Sequence, residues 1–563
     1  MNAVAETVDT GRIAVADLVA RLLEQLGIDT AFGITSVHNV GLLDAIGRRG
    51  RIRFVMSRGE MGAAHMADGY ARATGRLGLL FTSTGPAAAS AAPGLVEANS
   101  ASTPLLHITG QSALGLIGRG TGAVHDVPDQ LGMLKAVSKA AYRVTSAETV
   151  AATILRAATE ALTAPMGPVS IEIPIDIQRA VVSDRPPIES LGLAIPSARS
   201  ADPKAIAAAA EIAATARRPL LWVGGGAREA EPQIRRLLDL GFCMITSWNG
   251  RGAIPEDDRR TLGALNGVLS PLAGDFCRRC DLLVVAGSRL RHQQTRDMRL
   301  ALPTPLIQID VDPLAQGRTY PADAFLCGDA ASSLDALADA LDGRMRIDPS
   351  YQDAFAAMKS EAVAELCNRQ GPYGDFPRQL RAAMPANTLW VRDMTMSNNT
   401  WGHHAFPVAG PRLSLFPAGG GIGVGLPLAI GAAIGAAIGT PGRKTVLLAG
   451  DGGFFLNPGE IWTAVQERAN LVMIVMNDGG YGVIKHLQNA SHGGRHFYTD
   501  LLTPELESLA GLACIPFRRV TEAGGLGPAV AEMLALHGPS LVEVDMAAVG
   551  PLPYTPLPQG LAR

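Results

Sequence analysis

The sequence predicts an α/β protein built from three doubly wound parallel-sheet domains. Three observations carry that expectation. Short apolar, β-branched runs alternate with Ala-rich helical stretches along almost the whole chain, which is the pattern of βαβ units. At 563 residues the chain exceeds what one hydrophobic core serves, and roughly 100–200 residues per domain gives about three or four. Two polar, Pro-rich or mixed-charge stretches, residues 183–203 and 344–377, interrupt the alternation.

The first block predicts strands over 30–34, 53–57, 77–82, 104–109 and 169–173. The second predicts them over 219–223, 244–246, 282–286 and 306–311. The third predicts 388–393, 413–416, 445–449, 471–476 and 540–545. The corresponding domains are expected at 1–185, 200–342 and 378–550. In the second block Gly224-Gly225-Gly226 follows the first strand, and Asp310-Val311-Asp312-Pro313 closes the last. That is Rossmann-like, but the spaced GxGxxG fingerprint is absent, so a bound nucleotide and a purely architectural domain both remain open.

Hydrophobic residues at 47% and charged ones at 18% exclude a disordered or fibrous chain. A formal charge of −3 gives no general attraction to nucleic acid or anionic membrane, and neither is expected as a partner. The apolar stretch 426–439 falls short of the ~20 residues that a span needs and stops at Pro441-Gly442-Arg443. It reads as a buried helix in which Gly431, Gly435 and Gly439 admit a neighbouring backbone. Arg48, Arg49, Arg51 and Arg53 read as a solvated helix-to-strand connection. Cys277-Arg-Arg-Cys280 has no second pair to complete a zinc site and reads as a helix end. With no basic-then-apolar signal at the N-terminus, a reducing cytoplasm is expected.

The most specific local pattern is TVLLAGDGGFFLNPGEIWTAVQERANLVMIVMNDGGYG, residues 445–482. One strand ends in Gly450-Asp451-Gly452-Gly453, a helix follows, and a second strand ends in Asn477-Asp478-Gly479-Gly480. Parallel strands open on one carboxyl edge, where ligands bind. Glycines let backbone N–H groups approach an anion, while carboxylate, amide and carbonyl oxygens suit Mg²⁺, so the pair of strand ends describes a metal–diphosphate site. Asn457 is expected as the N-cap of the intervening helix, with Pro458 at its first position and Glu460 three residues on from the cap.

Gly450-Asp451-Gly452 with its later Asn-Asp step resembles the thiamine-diphosphate motif, and the resemblance extends to the acetolactate synthase-like group of thiamine-diphosphate enzymes. SRGEMGAAHMADGYARATGRLG (57–78), TSTGPAAAS (82–90), EANSASTPLLHITGQ (97–111) and FPAGGGIGVGLPLAIGAA (416–433) match that group's other segments in order. The resemblance implies a pyrimidine-binding domain first, a Rossmann-like central domain with FAD or ADP as candidate ligands, and a diphosphate-binding domain last. It implies that Glu60 hydrogen-bonds the cofactor's aminopyrimidine and so promotes proton loss at thiazolium C2. Catalysis would then run through a C2 ylide and an enamine, as cofactor-borne acid–base chemistry. Gly420 would offer a carbonyl to the cofactor and Ile422 an apolar wedge. Gly450, Gly452, Gly453, Asn477 and Tyr481 would line the cofactor. Asp451, the Asp478 side chain and the Gly480 carbonyl would hold Mg²⁺. Asp478 stands where the family usually has asparagine, and a one-residue shift would give the metal to Asn477 instead.

Within the group, Ser36-Val37-His38 after Phe32-Gly33 looks more like benzaldehyde lyase and the 5-guanidino-2-oxopentanoate decarboxylases than like acetolactate synthases. GRGTGAVHDVPDQ (118–130), DMTMSNNTWGHHAFP (393–407) and NDGGYGVIK (477–485) also resemble the latter decarboxylases. Leu487 stands where acetolactate synthases usually carry a pocket tryptophan. His38 and His125 are therefore expected to shuttle protons to and from substrate. The implied activity is 2-oxo-acid decarboxylation with carboligation onto an aldehyde or ketone acceptor, with acetolactate synthase as the alternative. A cofactor-binding subunit without turnover is the reading from another class, and Glu60 argues against it. A homodimer or homotetramer is expected.

Overall fold

The computed structural model describes residues 11–183, 188–264 and 270–554. Its first sheet has six strands, in the order Arg53–Met56, Thr30–Gly33, Gly78–Thr82, Leu105–Gln111, Pro168–Pro174, Ala140–Arg143. The second has five: Cys243–Thr246, Pro219–Val223, Leu282–Ala286, Leu306–Asp310, Ala324–Cys327. The third has six: Ser414–Leu415, Leu389–Arg392, Thr445–Gly450, Leu471–Asn477, Ser540–Asp545, Phe517–Val520. Every pairing in the three is parallel. Parallel sheets need cover on both faces, and Leu105–Gln111 and Leu282–Ala286 are accordingly buried at every residue.

The predicted strands are present, with ends shifted by one or two residues. Ala140–Arg143, Ala324–Cys327 and Phe517–Val520 were not predicted. All three are edge strands with partly exposed residues; arginines interrupt the apolar run in Ala140–Arg143 and Phe517–Val520, and Ala324–Cys327 is only four residues long. Arg12–Ala14 and Val181–Ser183 add a two-stranded antiparallel ribbon. Of the interruption expected at 183–203, residues 184–187 lie outside the described residues, and 191–202 have no helix or strand. Pro203 is not part of it. It opens helix Pro203–Ala213, where the Asp202 carboxylate accepts the Lys204 N–H.

The described residues divide into two compact units. One comprises those of 1–196 with 418–435 and 459–467, and the other comprises those of 197–417, 436–458 and 468–563. Within the first unit, helix Glu60–Thr74 packs against the start of helix Gly425–Gly439. A Cβ on Gly431 would overlap the Met66 carbonyl oxygen, and one on Gly69 would overlap the Leu428 carbonyl oxygen. A Cβ on Gly435 would lie 2.8 Å from Thr74 Cγ2. The predicted close approach therefore holds for Gly431 and Gly435. It does not hold for Gly439, which has nothing within 4 Å, because that end of the helix is exposed.

The Arg48–Arg53 connection is ion-paired rather than merely solvated. Arg48 reaches Asp17 and Asp44, Arg49 reaches Glu24 at 2.6 Å, and Arg53 reaches Glu467. Cys277 and Cys280 sit at the end of helix Pro271–Arg278, as expected. Both are buried, and burial pushes the Cys280 thiol up to about 11, so it carries no reactive thiolate. In the second sheet, a Cβ on Gly224 would overlap the Gly287 carbonyl, and one on Gly226 would lie 3.1 Å from Gly287 Cα. The glycine cluster there packs backbone against backbone.

Two substitutions test the helix pair. Gly69→Ala and Gly431→Ala force a methyl into a neighbouring carbonyl and should each lower stability by about 1–3 kcal/mol. Gly439→Ala should leave stability equal or higher by up to ~1 kcal/mol, since only chain entropy changes. Denaturant titration of the three variants beside the parent decides it.

Candidate functional site

The first unit gathers His38, His125, Glu60, Gly420 and Ile422. Strand Thr30–Gly33 ends in a turn fixed by Asn39, whose side chain accepts the Ser36 N–H at 2.7 Å and donates to the Ile34 carbonyl at 2.9 Å. That turn puts His38 against Gly110, where a Cβ would lie 2.6 Å from the His38 Cβ. Gln178 Nε2 donates to the His38 carbonyl at 2.8 Å, and Nδ1 lies 3.4 Å from Ser83 Oγ. His125 arrives from the 118–130 loop with φ of +65°, and its carbonyl seats where Gly85 has no Cβ. The two imidazole centroids are 5.3 Å apart. The sequence pair is thus brought together. Burial first, and the neighbouring His125 second, hold His38 below the ordinary histidine value, so its ring is neutral at pH 7.

Gln130 ties these loops to one another. Its Oε1 accepts the Gly85 N–H at 2.5 Å and the Thr84 hydroxyl at 2.8 Å, while Nε2 donates to the Gly110 carbonyl at 3.2 Å. No sequence pattern marks that role, because its partners come from two segments, Thr84-Gly85 and Gly110, both distant in sequence.

Glu60 is the first residue of helix Glu60–Thr74, partly buried, and its carboxylate takes no hydrogen bond from the described residues. The backbone just before it is held by another acid. Glu460, 2% exposed, accepts the Arg58 N–H at 3.1 Å and the Gly59 N–H at 3.1 Å, and also the Thr463 hydroxyl at 2.6 Å. Gly62 makes the room, since a Cβ there would overlap the Glu460 carboxylate. The predicted capping of the second helix is absent. Helix Glu460–Gln466 begins one residue past Gly459 with no side-chain cap bond. Asn457 and Pro458 lie in the bend and turn before it, and Glu460 spends its carboxylate on the Arg58-Gly59 backbone. Gly420 has φ of +82°, and Ile422 is 47% exposed.

The second unit gathers Asp451, Asp478 and Gly480 with Gly450, Gly452, Gly453, Asn477 and Tyr481. Strand Thr445–Gly450 runs straight into helix Asp451–Phe454. Asp451 is 1% exposed, and neither carboxylate oxygen has a hydrogen-bond partner among the described residues. Burial first, and the adjacent Asp478 carboxylate second, push Asp451 up to about 7. Gly482 leaves space for Asp478, whose carboxylate a Cβ there would overlap. Asn477 is turned elsewhere: its Nδ2 donates to Glu543 at 2.8 Å and its Oδ1 accepts the Gly479 N–H at 3.3 Å. A Cβ on Gly452 would lie 2.8 Å from the Tyr481 ring, and one on Gly450 would lie 3.0 Å from Thr395 Oγ1.

The buried Asp451 carboxylate, with the half-buried Asp478 carboxylate beside it, is costly to ionise alone, and Lys485 offsets charge on the Asp478 side. No cluster of three His, Cys, Asp or Glu side chains able to hold a metal occurs among the described residues. The donor set of two carboxylates and neighbouring carbonyls therefore fits a hard divalent cation that takes its remaining oxygens from a bound phosphate group. The 395–398 segment, which sequence reasoning left without roles, borders this place. Ser397 Oγ and Asn398 Oδ1 are buried there without hydrogen-bond partners among the described residues. The polar run Ser397-Asn398-Asn399 is the one signal the sequence offers for them.

Comparison with known proteins agrees with both halves of this geometry. Residues 13–133 match the thiamine pyrophosphate enzyme N-terminal TPP binding domain, 206–337 its central domain and 395–544 its C-terminal TPP binding domain. A probable 2-ketoarginine decarboxylase of Pseudomonas aeruginosa is 33% identical over 83% of this chain and 82% of its own. A probable acetolactate synthase large subunit of Methanocaldococcus jannaschii is 27% identical over 96% and 93%. An acetolactate synthase of Mycobacterium bovis is 29% identical over 89% and 83%. With a glutamate at the head of a glycine-packed helix in one TPP-binding domain and an adjacent carboxylate pair in the other, the chain belongs to the acetolactate synthase-like group of thiamine pyrophosphate enzymes, which break and form carbon–carbon bonds.

Proposed function

We propose that the chain decarboxylates a 2-oxo acid and passes the remaining fragment to a proton or to an aldehyde or ketone acceptor, with Mg²⁺ holding the cofactor's diphosphate. The pairing of His38 with His125 at 5.3 Å carries this choice, because both outcomes need a group that gives and takes protons near neutral pH. The 33% identical relative named as a 2-ketoarginine decarboxylase supports it and puts a guanidino 2-oxo acid first among substrates to try. The acetolactate synthase-named relatives support a second reading, in which pyruvate is both donor and acceptor.

Thiamine diphosphate, when bound, supplies a carbon nucleophile and an electron sink for the bond beside a carbonyl. Asp451 and Asp478 with the Gly480 carbonyl would hold Mg²⁺, and the Gly450, Gly452 and Gly453 backbone would face the diphosphate. Asn477 orders the turn through Glu543, and Tyr481 packs on Gly452. Glu60 would hold a proton at the aminopyrimidine nitrogen, the Gly420 carbonyl would accept from the amino group, and Ile422 would support the ring. His38 would give a proton to the substrate carbon that lost CO₂ and take one from the substrate oxygen on release, with His125 as its relay. FAD and ADP are the candidate ligands of the central domain, and a flavin absorbance band would separate the two. Domain limits of 1–185, 200–342 and 378–550 accompany this assignment. A cytoplasmic location suits six free cysteines, and no helix among the described residues is long and apolar enough to cross a membrane. A homodimer or homotetramer belongs to the same proposal, with Glu60 and Asp451 of one chain serving different active sites.

Incubation with a panel of 2-oxo acids, with and without aldehydes, is the deciding experiment. CO₂ release from the guanidino or other non-pyruvate acids supports decarboxylation, whereas acetolactate formed from pyruvate alone supports the second reading.

Asp451→Ala should abolish Mg²⁺-dependent cofactor binding with the fold retained, while Asp478→Asn should keep it, because an amide oxygen also binds Mg²⁺. Titration calorimetry and circular dichroism on both variants separate these outcomes. Glu60→Gln should suppress C2–H exchange, whereas His38→Ala and His125→Ala should keep exchange and slow turnover at least ~10-fold, the low side of what positioned acid–base groups contribute. With His38 held below its ordinary value, the acid limb of turnover should lie below about 6.5. Loss of the neighbouring imidazole removes one of the two causes that lower His38, so His125→Ala should move that limb upward in a pH–rate profile. Mixing Glu60→Gln with Asp451→Ala chains should restore turnover once subunits exchange.

A further inference from the structure

Beneath the exposed segment 419–422 of the first unit lies a buried charge cluster with one cation and two carboxylates. Arg72 and Asp68 stand four residues apart on helix Glu60–Thr74 and form a two-pronged pair at 2.9 and 2.6 Å. Arg72 Nη2 also donates to Glu97 Oε1 at 2.6 Å. Asp68 is fully buried and Glu97 is 3% exposed, and burial, offset by Arg72, raises Asp68 to about 6. One guanidinium does not satisfy two carboxylates out of water. The remainder is supplied by backbone: Glu97 Oε1 accepts the Ala418 N–H at 2.6 Å and Oε2 accepts the Gly419 N–H at 2.8 Å. Gly419 has no side chain for a steric reason, since a Cβ would stand 2.8 Å from Glu97 Oε2 and 3.2 Å from Ser100 Oγ.

The segment is therefore fixed at both ends. Glu97 holds it at 418–419. Five residues on, helix Gly425–Gly439 is locked against Met66 by Gly431. Gly420, with its positive φ, and the exposed Ile422 hang between these anchors. A charged hydrogen bond to backbone N–H is short and strong, and leaving a buried carboxylate without it is costly, so the segment has one favoured seat.

We propose that Glu97 is a positioning residue for the cofactor, acting through the Ala418 and Gly419 amides to set the Gly420 carbonyl and the Ile422 side chain. This rests on the assignment above that Gly420 and Ile422 meet the aminopyrimidine. Glu97 does not touch the cofactor. Its effect is geometric, and it is separable from stability.

The test uses the full chain, with Glu97→Gln, Gly419→Ala and Ile422→Ala. Gly419→Ala disturbs the same contact from the surface without removing a buried charge, so it remains informative if Glu97→Gln fails to fold. In the cofactor-free parent, the Ala418 and Gly419 amides should exchange slowly with deuterium despite the exposure of the neighbouring residues. In Glu97→Gln and Gly419→Ala that protection should fall at least ~10-fold, the factor expected when a charged hydrogen bond is lost. In the same two variants the thiamine diphosphate Kd should rise, and C2–H exchange at saturating cofactor should slow, each by at least ~10-fold. Unchanged Kd and C2–H exchange in both variants, with amide protection lost, overturns the proposal and leaves Glu97 a stability residue. Ile422→Ala distinguishes the two levels. If it too leaves Kd and C2–H exchange unchanged, the assignment of this segment to the cofactor has failed. If it slows exchange while the Glu97 and Gly419 variants do not, only the role given to Glu97 has failed.

Discussion

The second unit sets two carboxylates that repel each other at neighbouring strand ends. Asp451 follows strand Thr445–Gly450 and Asp478 follows strand Leu471–Asn477, and the parallel pairing of those strands brings both to one edge of the sheet. An isolated buried carboxylate escapes its desolvation cost by taking up a proton or a cation. A cation beside Asp451 would be favoured on that ground. Asn477 donates its Nδ2 to Glu543 at 2.8 Å, and Asp478 is the carboxylate that acts on Asp451.

The first unit uses carboxylates in the opposite sense. Glu97 and Glu460 are as buried as Asp451, but each spends its oxygens on backbone N–H groups at least four hundred or three hundred residues away in sequence. A side chain that grips backbone fixes φ and ψ and therefore fixes whatever the next residue presents. Glu460 acts on the turn before Glu60, Glu97 on the segment before Gly420, and Gln130 plays the same part for the loops around His38 and His125.

The parallel-sheet architecture was legible because buried strands such as Leu282–Ala286 are apolar on both faces and helices between them are Ala-rich. The edge strands were not, since Phe517–Val520 carries two arginines on a half-exposed ladder and has no hydrophobic signature. At the candidate site, Gly-Asp-Gly and the Asn-Asp step could be read because glycine spacing and oxygen donors are local. Glu97, Gln130 and Ser397 could not, because their partners or their isolation exist only after folding. Asn457 shows the reverse failure. Asn-Pro followed by Glu has the chemistry of a helix start, but the Arg58-Gly59 backbone outbid the local cap for the Glu460 carboxylate.

The glycine contacts of the central sheet bear on how that domain tolerates emptiness. Gly224 and Gly226 lean directly on Gly287, so the tips of strands Pro219–Val223 and Leu282–Ala286 are braced by the chain itself. Strand tips whose glycines already touch need no ligand as a keystone. The integrity of this sheet is thus independent of whether anything binds at its edge.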